Sequence, residues 1–248
     1  MKLFKSNKTF FFLVLGYALL AGTFIFLPSS SFLPLSEQTF PVPKWVMALG
    51  SFFLVLIIYG GLGLVGLLLT KKIGFPGLWD KKISNKQRFL IPGLLGAGIG
   101  LLFIIIDKLL GPLTSFGPFP HPAFPASLIA SITAGIGEEI IFRLFLVSFG
   151  VWLISFVIFK KRWQNVIFWI VAVFSALYFS AGHLPSVMIL KGYSTPLQIP
   201  ALVLGEIFVL NSVLSLPAAY LFRKNGILAA MMVHFCTDIV WHVIYGLV

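Results

Sequence analysis

The chain alternates between long apolar runs and short clusters of basic and helix-breaking residues. Apolar runs cover about 9–27, 45–70, 89–110, 126–159, 163–190, 200–222 and 226–247. Each is near or above the ~20 residues that a helix needs to cross a bilayer. Period-two alternation, the mark of a membrane barrel, is absent. Backbone crossing lipid must satisfy its own hydrogen bonds, so the runs predict helices. The pattern predicts an all-α polytopic transmembrane bundle of about seven spans, or eight if the long fourth run is broken. As one helix, run 126–159 would extend about 50 Å, against a hydrocarbon core of about 30 Å.

Composition agrees. A mean hydropathy of +1.04 with only 10% charged residues lies far outside soluble usage. The net charge of +11 raises nucleic-acid binding. However, the basic residues fall between apolar runs, and no basic stripe with interleaved aromatics occurs. No nucleic-acid partner is expected; lipid is the partner that the charges address. With the N-terminus cytoplasmic, Lys2, Lys5, Lys8, the 71–88 segment, residues 160–162 and residues 223–224 share one side. Only Lys44, Lys108 and Lys191 then face the other, as the positive-inside rule asks. The expected location is the cell (cytoplasmic) membrane, N-in and C-out. The first run follows MKLFKSNK and lacks a clean A-x-A site, so it reads as an uncleaved anchor. Lone Cys236 excludes an intrachain disulfide and reads as packing.

Two regions differ in content. Residues 1–125 supply membrane helices without motifs, although Gly93-x-x-x-Ala97 and Gly96-x-x-x-Gly100 suit close helix packing. Residues 126–248 hold nearly all the ionisable groups found within apolar runs. Glu37 and Asp80 fall in loops, and Asp107 with Lys108, near a span end, reads as snorkelling. Glu138, Glu139, Arg143, Glu206 and Asp238 remain at depth, with His183, His234 and His242. Charge there costs a few kcal/mol per residue, so paired function is the default expectation. For Glu206, with Asn211, and for His242, interhelical hydrogen bonding is the simpler reading. His121, in the Pro-rich loop FGPFPHPAFP, carries no evident chemistry.

Helical geometry sorts the rest. Glu139 and Arg143 are i and i+4 and can pair, whereas Glu138 points about 100° away and stays available as a general base. His234 and Asp238 are again i and i+4, so Asp238 can orient its histidine. Phe179 precedes His183 by four residues, and Pro185 ends or kinks that helix. Ser127 is a plausible N-cap for the fourth helix. Counting from the basic turn at Lys160–Arg162 sets Glu138 level with His183, and His234 falls near the same depth. That depth is the inner half of the membrane, about 12–15 Å from its inner face.

EEIIFR (138–143), FSAGH (179–183) and HFCTD (234–238) resemble the three ordered motifs of the CAAX prenyl endopeptidase and bacteriocin-processing family. This is the CPBP or Abi family of intramembrane proteases, with patterns EExxxR, FxxxH and HxxxN/D. The resemblance covers about residues 126–248. It implies an endopeptidase in which Glu138 and His183 activate water while His234 and Asp238 stabilise the oxyanion or bind metal. Glu139, Arg143 and Phe179 would support them. The substrate would be a peptide or a membrane-anchored protein, and in prenyl-processing members the cavity opens to the cytosol. Asp238 departs from the asparagine of those members, and an ionised aspartate cannot donate to an oxyanion. Zinc or another divalent metal and a metal-free glutamate mechanism both stay open. No HExxH or GxSG is present. A non-catalytic scaffold or immunity protein that binds a partner is the competing reading. A small ion relay comes second, without an inverted repeat to support it.

Overall fold

The computed structural model describes residues 2–27 and 42–248, with side chains from residue 8 onward. The predicted loop containing Glu37 lies outside these residues. The chain runs through α1 (Lys2–Phe24), α2 (Lys44–Ile73), α3 (Lys86–Leu113) and α4 (Ala126–Ile158). It continues through α5 (Gln164–Gly182), the short α6 (Leu184–Lys191), α7 (Ala201–Asn225) and α8 (Ile227–Leu247). There is no strand among the described residues. Six helical stretches, with α5 and α6 taken together, are long and apolar enough to cross a membrane, and α1 adds the shorter apolar stretch Lys8–Phe24. The protein is a polytopic helical bundle of about seven spans. The fourth run is one unbroken helix.

Turn chemistry explains where helices stop. Gly226, at φ +88°, makes the one-residue reversal between α7 and α8, a conformation that L side chains rarely adopt. Pro185 has no N–H to continue a helix, and the chain breaks between α5 and α6 at His183, as the sequence predicts. The expected cap at Ser127 is not found. Pro125 precedes the first turn of α4, and Ser127 is buried within it, its carbonyl accepting from the Ser131 hydroxyl. The basic turn after α4 is held by Ser155, whose hydroxyl donates to the Arg162 carbonyl at 2.9 Å.

Small residues set the distances between helices. A Cβ on Gly96 of α3 would strike the Val233 carbonyl of α8, and one on Gly100 would lie 2.8 Å from the Thr237 carbonyl. The Thr237 hydroxyl in turn lies 3.0 Å from the Gly96 carbonyl. This close approach is what the Gly96-x-x-x-Gly100 spacing predicts, and it fixes the helix that carries His234 and Asp238. Cys236 belongs to the same seam, its Sγ 3.5 Å from the place of a Gly93 Cβ. Gly66 of α2 meets the Leu144 backbone, and Tyr17 of α1 lies against Gly137. The three N-terminal helices therefore back the helices that carry the motifs. One apolar core draws on both regions, from Phe10 and Ile99 to Val147, Phe168, Leu214 and Val233.

Basic residues gather at one end of the bundle, around residues 71–88, 160–162 and 223–224. The other end carries the 114–125 loop and the 192–200 connection.

Candidate active site

After Glu139, α4 widens into π-helical turns over Ile140–Val147, a winding that frequently marks functional sites. Ser175 of α5 lies within hydrogen-bonding reach of the Phe142 carbonyl there, at 3.2 Å. Within the widened stretch, Arg143 Nη1 reaches back to lie 3.0 Å from Glu139 Oε1, with both side chains fully buried. The guanidinium also covers the Phe179 ring, 4.8 Å from its centroid. Phe179 touches both histidines edge-on, at 4.8 Å to His183 and 5.7 Å to His234.

The two imidazoles are held in the same manner. His183 Nδ1 lies 2.9 Å from the Phe179 carbonyl. A carbonyl only accepts, so Nδ1 carries the proton and Nε2 is the basic nitrogen. His234 Nδ1–H donates to Glu139 Oε1 at 2.8 Å. Glu139 therefore serves Arg143 and His234 at once. The ring-orienting bond comes from Glu139 and not from Asp238, whose Oδ2 is 3.6 Å from the opposite nitrogen, Nε2. Asp238 approaches the ring from one turn along its own helix, whereas Glu139 approaches from α4. Glu138 Oε2 is 3.5 Å from His234 Nε2 and makes no hydrogen bond among the described residues. The Glu138 side chain keeps 34% of its surface accessible.

Glu138, Phe179, His183, His234 and Asp238 all line one cavity of about 280 Å³. The structure thus brings together the residues of all three motifs; Glu139 and Arg143 lie behind the wall. From Glu138 the wall climbs α4 through Ala134 and Ala130, and the 114–125 loop adds Phe119, Pro120 and Pro122 to the lining. The cavity therefore extends from the motif residues toward the end of the bundle away from the basic turns. Unbroken α4 continues twenty residues past Glu138 to Ile158, so the turn at 160–162 is a poor marker of depth.

Three further residues take places that the sequence does not predict. Asp107 does not snorkel. It is fully buried, and its carboxylate accepts from the Phe119 N–H at 2.9 Å and the Tyr245 hydroxyl at 3.1 Å. His121 and His242 meet with their Nδ1 atoms 3.1 Å apart, and His121 stands edge-on to Trp241. Burial pushes the His121 imidazole down to about 4. His242 also lines the cavity. Helical spacing carries no signal for these contacts, because the partners are far apart in sequence.

Among the described residues, no three His, Cys, Asp or Glu side chains converge as a ligand set. Both Nδ1 atoms are committed to protein acceptors, the arrangement in which an imidazole has Nε2 left for a ligand or a proton.

Residues 120–240 match the family described as Rce1-like, type II CAAX prenyl endopeptidase Rce1-like. The matched segment contains all three motifs. No curated protein and no solved structure matches the chain.

Proposed function

With residues 120–240 belonging to the Rce1-like family of CAAX endopeptidases, we propose that this membrane protein hydrolyses peptide bonds by a glutamate-based mechanism within the bundle. The observation that carries the proposal is the single cavity shared by Glu138, His183, His234 and Asp238. A water held between Glu138 and His183 Nε2 loses a proton to Glu138 and attacks the scissile carbonyl. The carbonyl π electrons move to oxygen. His234 Nε2–H then donates to that oxyanion, which requires the imidazolium form. Glu139 and Asp238, both within 3.6 Å of the ring, provide counter-charge for it. As the intermediate collapses, the C–N bond breaks and Glu138 returns its proton to the departing amine.

The other residues position these groups. Glu139, pinned by Arg143, sets the His234 tautomer, and Phe179 spaces the two rings. Asp238 acts as a charge beside His234 and not as an oxyanion donor. The substrate class is a peptide or a membrane-anchored protein. The test is cleavage of candidate peptides by purified protein in detergent, with and without thorough chelation. Activity that survives chelation and disappears in His183→Ala supports the reading. Activity that needs added metal would falsify the glutamate mechanism.

A further inference from the structure

Three polar residues, Ser186, Asn211 and His242, line the cavity without belonging to any of the three motifs. Asn211 is the one whose presence the packing of the helices does not explain. It lies on α7, which carries no motif and packs against both α5 and α8. Ile207, Leu210, Asn211 and Leu214 line the cavity together, a stripe at helical spacing that turns one face of α7 toward the site. A carboxamide within a membrane span ordinarily ties one helix to another, and the sequence suggests that role for Asn211. The structure gives a different bond. Asn211 Nδ2 donates to the Ile207 carbonyl of its own helix at 2.8 Å. A carbonyl only accepts, so the orientation of the amide is fixed with Nδ2 toward Ile207. Oδ1 and the second amide hydrogen have no protein partner among the described residues.

A polypeptide bound in this cavity brings the matching need. Every peptide unit carries an N–H donor and a C=O acceptor, and leaving them unpaired in apolar surroundings is costly. The motif residues are occupied with the scissile unit: Glu138 and His183 hold the water, and His234 meets the oxyanion. Around Asn211 the wall is otherwise apolar, with Ile207, Leu210 and Leu214 on its own helix and Val187 on α6. An asparagine offers an oxygen acceptor and an N–H donor side by side, the complement of a peptide unit.

We propose that Asn211 is a substrate-binding residue. Its carboxamide pairs with a backbone peptide unit that flanks the scissile one, so the contact reads backbone and not side chain. That the neighbouring bond is cut rests on the peptidase reading, whereas the binding of a polypeptide does not.

Asn211→Leu keeps the approximate size of the side chain and removes both open groups. KM should rise about tenfold, equivalent to about 1.4 kcal/mol, with kcat within about threefold of wild type. The unfolding midpoint should not fall, because the Ile207 carbonyl keeps its bond within α7. Peptides in which one backbone amide at a time is replaced by an ester locate the contact, since an ester has no N–H for Oδ1. At one position the ester should cost wild type about tenfold in kcat/KM and Asn211→Leu less than about twofold. A KM for Asn211→Leu within about twofold of wild type, or equal ester costs in the two proteins at every position, overturns the proposal. Binding without turnover is read by fluorescence anisotropy of a dansylated nonapeptide of Ala and Leu with the Glu138→Gln protein. Adding Asn211→Leu should weaken it about tenfold. Equal binding, or no binding to either protein, overturns the proposal. Binding that depends on Asn211, without cleavage of any peptide by wild type, sinks the peptidase reading and leaves the role of Asn211 standing.

Discussion

Arg143→Met is the most informative perturbation of the scaffold, because the charge it removes is fully buried. Glu139 would be left, also fully buried, with His234 as its remaining partner. Breaking a buried ion pair by removing one member costs about 3–5 kcal/mol. The lost cation–π contact with Phe179 adds up to about 2 kcal/mol for a desolvated site. An ordinary interhelical hydrogen bond in a membrane averages only about 0.6 kcal/mol, so the ion pair dominates. At about 2–4 °C per kcal/mol for a chain of this size, the midpoint should fall by roughly 10 °C. Glu139→Gln should be comparably damaging, since it strands the guanidinium. The double variant removes both charges together and should cost at least about 2 kcal/mol less than the sum of the two. Thermal unfolding of the four proteins in one detergent measures this coupling. Additivity within about 0.5 kcal/mol would refute the idea that these residues act as a pair.

Other outcomes follow from the same contacts. Gly96→Ala should destabilise by about 1–3 kcal/mol through collision with the Val233 carbonyl, while Gly98→Ala, which meets nothing, should change stability by less than about 0.5 kcal/mol; thermal unfolding compares them. Asp107→Leu removes the acceptor for the Phe119 N–H and the Tyr245 hydroxyl, so the 114–125 loop should be nicked faster by added protease. Acid should act on the same loop. His121 stays neutral to about 4 when seated, against about 6.5 when free, so the unseated state binds more protons between those values. Seating is complete above about 6.5 and weakens as pH falls toward 4. Loop proteolysis should accelerate over that window, and His121→Gln should reduce the dependence.

Much of the fold is legible because membrane helices announce themselves by length and apolarity. The Glu139–Arg143 pair, the break at Pro185 and the Gly96-x-x-x-Gly100 seam are local patterns that fixed helical geometry turns into contacts. What helical spacing misses is the partner on another helix. It finds Arg143 for Glu139 but not His234, which lies 95 residues away. It assigns Asp238 to orient the ring because the two share a helix, although Glu139 holds the nitrogen in question. Asp107 and His121 have partners that the sequence does not reveal for the same reason. Depth is less legible for a different reason. Residue counts measure distance from a helix end, and α4 is far longer than a bilayer is thick.

The central claim is that Glu138 moves the proton of the attacking water. Its most direct test is the rate of peptide hydrolysis by purified Glu138→Gln, beside wild type in chelated buffer. Gln keeps the size of the side chain and cannot take the proton. The expected result is a loss of about 10²–10⁴-fold in kcat with an unchanged unfolding midpoint. A Glu138→Gln protein that cleaves within a few-fold of the wild-type rate would contradict it.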